Sequence, residues 1–226
     1  MPNFNIVKES TPNNSFRVAS VKGIFDLQDN VIQEHFVGNI EIENLDWNVG
    51  IIYGASGTGK STIAKQLFGD NIFCDLNYKN QCVIDDMPNK SVQEITKMFN
   101  SVGFSSPKSW LKPYSVLSNG EKMRVDLANA LLQEKELIVF DEFTSVVNRE
   151  VAKIGSFAVQ KAIRKMNKKF IAVACHSDII EWLEPDWTFC TDNMTFSITK
   201  KKDQKLMFPY MKQIIMRGQC LENIII

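Results

Sequence analysis

At 226 residues, with 26 basic against 26 acidic side chains and 44% apolar residues, the chain has an ordinary globular composition and enough length to bury a real core. Disorder, collagen and a small disulfide scaffold are excluded, and no run approaches the roughly 18 consecutive apolar residues of a membrane helix. Five cysteines without a CxxC pair, and only two histidines, His35 and His176, lack zinc-ligand spacing and predict reduced thiols. The N-terminus carries no secretory signal, which predicts a cytoplasmic protein without membrane insertion. Zero net charge conceals an asymmetry. Residues 21–50 hold six acids against Lys22, whereas residues 197–226 hold six bases against Asp203 and Glu222, a polarity that is either solvated surface or a means of choosing a partner.

Residues 1–15, rich in Asn, Pro and Ser, read as a loose leader. Residues 16–21 and 40–42 then alternate like edge strands and predict a first, small β layer. Ile51, Ile52 and Tyr53 form a β-prone run, residues 54–59 a glycine loop, and residues 61–68 a helix. Val92, Ile95, Phe99 and Val102 recur at helical spacing, as do Val151, Ile154, Ala158 and Ala162 in a segment that Asn148 can cap. Residues 137–140 and 171–174 are unalternating apolar runs, the pattern of parallel strands covered on both faces. Strands alternating with helices predict an α/β sheet. Residues 196–226, with Lys200, Lys201 and Lys202 and the closing Ile224, Ile225 and Ile226, read as an extension docked on the body or used as an interaction arm.

The glycine loop carries the sharpest signal. Gly54, Ala55, Ser56, Gly57, Thr58, Gly59, Lys60 and Ser61 fit GxxxxGK[ST] at every fixed position, between a β-prone run and a helix. That context aims backbone N–H groups and a helix N-terminus at one phosphate. Lys60 would reach β- and γ-phosphates, Ser61 would ligate Mg²⁺, and Thr62 would touch the α-phosphate. Downstream, the apolar run 137–140 ends in Asp141 and Glu142, at the strand end where open α/β sheets bind ligands. Asp141 is then the metal-side acid, and Glu142 the carboxylate that polarises the attacking water. A P-loop kinase would instead need a base placed for a substrate hydroxyl.

Between these motifs lies Leu117-Ser118-Asn119-Gly120-Glu121, where Ser118 can cap the following helix and Gly120 leaves its start open to an anion. This segment resembles the LSGGQ signature of ABC-class ATPases, with Asn119 in place of a glycine and Glu121 in place of glutamine. The resemblance covers residues 16–195 and implies an α/β P-loop NTPase of the ABC type: a mainly parallel sheet flanked by helices, a small antiparallel β layer, and a short helical arm at about 86–118. It makes Lys60, Glu142 and the switch-position His176 the catalytic set, and Ser118, Asn119 and Gly120 a phosphate contact offered to a second copy. Residues 143–148 resemble the D-loop, with Asn148 for the usual aspartate. The family's Q-loop glutamine should fall near residues 82–86, where none stands, so Asp85 or Asp86 would take its place at the metal. An aromatic ahead of the phosphate loop should stack on adenine; Phe16, Phe25 and Phe36 are candidates, with Phe25 preferred. Trp182 and Trp187 are expected as packing anchors.

The implied function is Mg²⁺-dependent ATP binding and hydrolysis in a head-to-tail homodimer, an ATP-driven switch. The arm is shorter than in subunits that dock on permeases, which disfavours a transporter. The nearest resemblance, through Trp110-Leu111 and residues 181–187, is to prokaryotic and viral ABC ATPases associated with acetyltransferase-like domains. An acetyltransferase-like or DNA-processing protein is accordingly the expected partner, with nucleic acid a further candidate. The alternatives are the energising subunit of an ABC transporter, and a P-loop kinase acting on a nucleoside or DNA.

Overall fold

The computed structural model describes residues 3–27, 32–73, 78–79 and 82–199. Strands β1 (Asn3–Ser10) and β2 (Ile32–Asn39) form an antiparallel ribbon, paired from Asn3 opposite Asn39 to Ser10 opposite Ile32. Helix α1 (Phe16–Phe25) lies between them in the chain. Residues 3–10, expected as part of a loose leader, are thus a strand, and residues 16–21, expected as a strand, are a helix. The apolar positions 16, 18, 19 and 21 fit helical spacing as well as alternation. Ser15 decides between the two by accepting the Val18 N–H and capping the helix. Residues 40–42, also expected as a strand, leave β2 as irregular chain. The small antiparallel layer exists, built from other residues than those foreseen.

The main sheet follows the sequence pattern closely. Strands β3 (Val49–Tyr53), β4 (Ile72–Phe73), β5 (Leu137–Phe140), β6 (Lys169–Ala174), β7 (Trp187–Cys190) and β8 (Thr195–Ile198) take the order β4-β5-β6-β3-β7-β8. All pairings are parallel except the closing β7–β8 hairpin. Helices α2 (Lys60–Phe68), α3 (Val92–Ser101), α4 (Pro107–Trp110), α5 (Asn119–Leu132), α6 (Arg149–Met166) and α7 (Ile179–Leu183) cover it. Ile51 of the central strand packs into a core with Phe99, Leu127 and Val159 from α3, α5 and α6. Its neighbour Ile52 packs into a second core with Phe4 and Phe36 of the ribbon and Ile63 of α2. A strand buried on both sides has no solvent face to mark with polar residues, which is why these runs do not alternate.

The arm expected at 86–118 consists of α3, α4 and a 3-10 turn at Tyr114–Val116. Ser91 and Glu94 close α3 with a capping box, and the Trp110 ring N–H donates to the Phe104 carbonyl at 2.8 Å. Cys82, Cys175 and Cys190 are free thiols. No helix among the described residues is long and apolar enough to cross a membrane. The expectations for residues 200–202 and 224–226, and for Cys74 and Cys220, lie outside the described residues.

Asp186, only 7% exposed, ties the sheet together. Its Oδ2 accepts the Asn48 and Val49 N–H groups at 2.9 and 3.0 Å, and Arg164 of α6 donates to both carboxylate oxygens at 3.0 and 3.1 Å. Asp186→Ala would strand two backbone donors and a guanidinium at the entry to β3. We expect a loss of about 3 kcal/mol in urea unfolding, the low end for a broken buried pair because Arg164 is partly solvated. A loss under about 1 kcal/mol would show that water replaces the carboxylate.

Candidate functional site

The loop between β3 and α2 has the backbone of a phosphate cradle. Gly57 and Gly59 adopt φ of 85° and 82°, left-handed values that cost a side-chain-bearing residue about 1–2 kcal/mol. A Cβ on Gly59 would also stand 2.6 Å from the Phe36 ring. Glycine at 59 thus lets the ribbon close over the start of α2, whose first amides have no intrahelical acceptor. Lys60 is 6% exposed, and its ammonium donates to the Ala55 carbonyl at 2.6 Å. The Thr58 hydroxyl donates to the same carbonyl at 2.8 Å.

The acids arrive from the neighbouring end of the sheet. Asp141 directly follows β5, and its Oδ1 accepts the Ser61 hydroxyl at 3.0 Å across 80 residues of sequence, along with the Glu142 N–H at 2.9 Å. Glu142 stands exposed at φ 54°, and Thr144 follows at φ 67°. Two non-glycine residues in the left-handed region within four positions are a local strain, held by buried Phe143, whose N–H donates to the Val173 carbonyl at 2.8 Å. Ser61 and Asp141 offer a hydroxyl and a carboxylate, hard oxygen donors of the kind Mg²⁺ prefers. Among the described residues no three His, Cys, Asp or Glu side chains converge as a metal group. Asp85 is exposed on a 3-10 turn at Val83–Asp86, and no hydrogen bond ties its carboxylate to Ser61 or Asp141. Asp86 accepts the Lys79 N–H at 3.3 Å, and its second oxygen is buried without a partner. Gln81 directly precedes residues 82–86 and lies outside the described residues.

Ser118 caps α5. Its hydroxyl accepts the Glu121 N–H at 3.3 Å, and Glu121 accepts the Ser118 N–H at 3.0 Å and the Ser109 hydroxyl at 2.8 Å. Burial works to raise the Glu121 pKa, but these hydrogen bonds outweigh it and hold the carboxyl below its usual range. Glutamine at this position would lack the charge that makes the box strong. Ser118 and Asn119 are exposed, and no hydrogen bond joins them to the phosphate loop of their own chain. Gly120 abuts Val151 of α6, where a Cβ would stand 3.1 Å from the valine. Asn148 accepts the Val151 N–H at 2.9 Å and caps α6. His176 is exposed just beyond β6, in a turn pinned by the Arg149–Asp178 ion pair. Trp187 is fully buried against Trp47, and Trp182 lies under the Arg149 guanidinium. Phe16 and Phe25 are exposed on α1, 87% and 67%, whereas Phe36 is the candidate aromatic whose ring lies against the loop.

Two groups escape sequence reasoning. Tyr78 and Tyr114 stack at 3.9 Å and donate to the two oxygens of Asp126 at 2.7 and 2.8 Å, beside a cleft of about 450 Å³ that reaches Asp141 and Glu142. Burial raises the Asp126 pKa against the lowering effect of both phenols. These three residues carry no shared motif. Thr191 and Asp192, which touch the phosphate loop, were findable, since they follow a parallel strand at its ligand-binding end.

The family model described as ABC transporter matches residues 70–145. The dimeric structure of MJ0796, a bacterial ABC transporter cassette, superposes with a TM-score of 0.57 at 13% identity, over 83% of this chain and 92% of that one. An ADP-conformation structure of MJ1267, an ATP-binding cassette of an ABC transporter, gives 0.54 at 15% identity, over 84% and 92%. Fold, motifs and the family match over residues 70–145 make the chain similar to ABC-class P-loop ATPase domains. By sequence it is 29% identical to the energy-coupling factor transporter ATP-binding protein EcfA of Aster yellows witches'-broom phytoplasma, over 61% of this chain and 63% of that protein. It is 28% identical to the zinc import ATP-binding protein ZnuC of Buchnera aphidicola, over 63% of this chain and 68% of that protein. The match thus spans less than two thirds of the phytoplasma relative's length.

Proposed function

We propose that the chain binds and hydrolyses ATP as a head-to-tail pair and thereby energises a membrane transport partner. The observation that carries the nucleotide reading is the 3.0 Å bond from Ser61 to Asp141, which joins the phosphate-loop hydroxyl to the strand-end acid. A free-standing switch tied to an acetyltransferase-like protein, the expectation from the short arm, is less well supported. The relatives named above are ATP-binding proteins of transport and import systems. The kinase alternative leaves the capped signature helix without a task.

In this reading Lys60 leaves the Ala55 carbonyl for the β- and γ-phosphates, and the first amides of α2 meet the same oxygens. Ser61 and Asp141 would hold Mg²⁺, which when bound neutralises charge on the β- and γ-oxygens. Glu142 projects from a strained turn and polarises the attacking water, while His176 senses the γ-phosphate. Phe36 is placed better than Phe25 to border the base. Ser118, Asn119 and Gly120 of a second copy close the site from outside, so catalysis is mainly positioning and electrostatics.

Two experiments test this. In a Glu142→Gln background ATP should convert monomer to dimer in analytical ultracentrifugation, and Ser118→Arg should reduce that shift at least tenfold while leaving monomer affinity within about threefold. ATP turnover independent of protein concentration and indifferent to Ser118→Arg would refute the dimer. For the partner, detergent extraction of the tagged chain should bring down an integral membrane protein in stoichiometric amount, and co-reconstitution should raise turnover. Full activity without lipid and no membrane partner would restore the switch reading.

A further inference from the structure

We propose that Thr191 and Asp192, at the C-terminal end of β7, form a rear brace of the phosphate loop and set its affinity for the ATP triphosphate by fixing the Ala55 peptide. The inference rests on the nucleotide-binding reading and adds two positioning residues to it.

The contacts converge on one peptide unit. The Ala55 N–H donates to Asp192 Oδ1 at 2.8 Å. The Ala55 carbonyl accepts from Lys60 Nζ at 2.6 Å and from the Thr58 hydroxyl at 2.8 Å. The Thr58 hydroxyl in turn lies 2.5 Å from Thr191 Oγ1. Thr191 is 2% exposed, and its N–H continues the β3–β7 pairing by donating to the Tyr53 carbonyl at 2.8 Å. The approach is so close that a Cβ on Gly54 would stand 2.2 Å from Thr191 Oγ1 and 3.0 Å from Asp192 Oδ1. The first glycine of the motif therefore serves this brace, beyond the needs of the phosphate itself.

Charge makes the choice of residue informative. An exposed carboxylate beside a site for a polyanion opposes binding by Coulomb repulsion, so on charge alone an acid is the wrong residue here. As an acceptor it is the right one, because its side-chain oxygen takes the Ala55 N–H and holds the loop peptide in place, which an amide oxygen at the same position can also do. The two effects have opposite signs and different carriers. Only the acceptor orients Ala55, and the Ala55 carbonyl is where Lys60 rests before it turns to phosphate.

Three variants separate them, read by titration of a fluorescent ATP analogue with thermal melts as a check on folding. Asp192→Ala removes acceptor and charge and should weaken affinity about tenfold, with kcat at saturating ATP within about twofold of wild type. Asp192→Asn keeps an oxygen for the Ala55 N–H and loses the charge, so it should bind at least as tightly as wild type. Thr191→Val keeps the shape, loses the hydroxyl and should weaken binding about threefold. Equal affinities for the Ala and Asn variants, both at or above wild type, would reduce Asp192 to a surface charge and overturn the proposal. A collapse of kcat at unchanged affinity would overturn it as well. A wild-type chain that binds no ATP would overturn the nucleotide reading first and this inference with it.

Discussion

Lys60→Ala should reduce ATP affinity at least about a hundredfold in an equilibrium titration, the largest effect expected of any single change. Lys60 is the cation at the start of α2, and its side chain is 6% exposed, so its ammonium works in a site where water screens little. Under the proposed function two charge-assisted contacts to phosphate oxygens would be lost together, each worth roughly 1.5–3 kcal/mol. The folded chain should tolerate the change, because the Ala55 carbonyl keeps its bond from Thr58 and the main chain of α2 is untouched. Affinity retained within about tenfold, about 1.4 kcal/mol, would sink the phosphate-loop assignment.

Glu142→Gln should slow turnover at least about a hundredfold and leave ATP affinity within about threefold. The side chain is exposed and Asp141 keeps its bonds to Ser61 and to the backbone of residue 142, so neither fold nor metal-side acid depends on the carboxylate charge. What the amide cannot do is take a proton from water, and general base catalysis is commonly worth 10²–10⁴-fold, about the effect predicted. Single-turnover quench measurements separate this from slow product release. A rate near wild type would remove Glu142 from the mechanism and bring Asp85, Asp86 or His176 back for consideration.

Much of the site was legible in the sequence because its parts are local. A phosphate loop needs glycines, a lysine and a hydroxyl at set spacing along one turn, and all eight residues from Gly54 to Ser61 stand where the pattern puts them, before a helix that starts at Lys60. The acids end a four-residue apolar strand at the predicted place, and Ser118 caps α5 with Glu121, an i to i+3 relation that sequence displays directly. Which aromatic lies against the glycine loop was not legible. Phe25 is exposed on α1, and Phe36 is the ring against Gly59, a choice that depends on how the β1–β2 ribbon folds over the loop. The ribbon itself was misassigned for a related reason: six residues of mixed pattern fit either period, and a single cap at Ser15 tipped the balance.

By itself the sequence determined strands β3, β5 and β6, helices α2, α3, α5 and α6, the glycine loop, the acidic pair after β5 and the cap of α5, since each is written in neighbours a few residues apart. Tertiary structure decided everything that needs distant segments to meet. It set Ser61 beside Asp141 and Asp192 beneath Ala55, and joined Tyr78, Tyr114 and Asp126 into one partly buried cluster. Local periodicity records which face of an element is buried; it does not record which partner buries it, and the first two of these contacts arise when the parallel sheet brings the ends of β3, β5 and β7 to one edge.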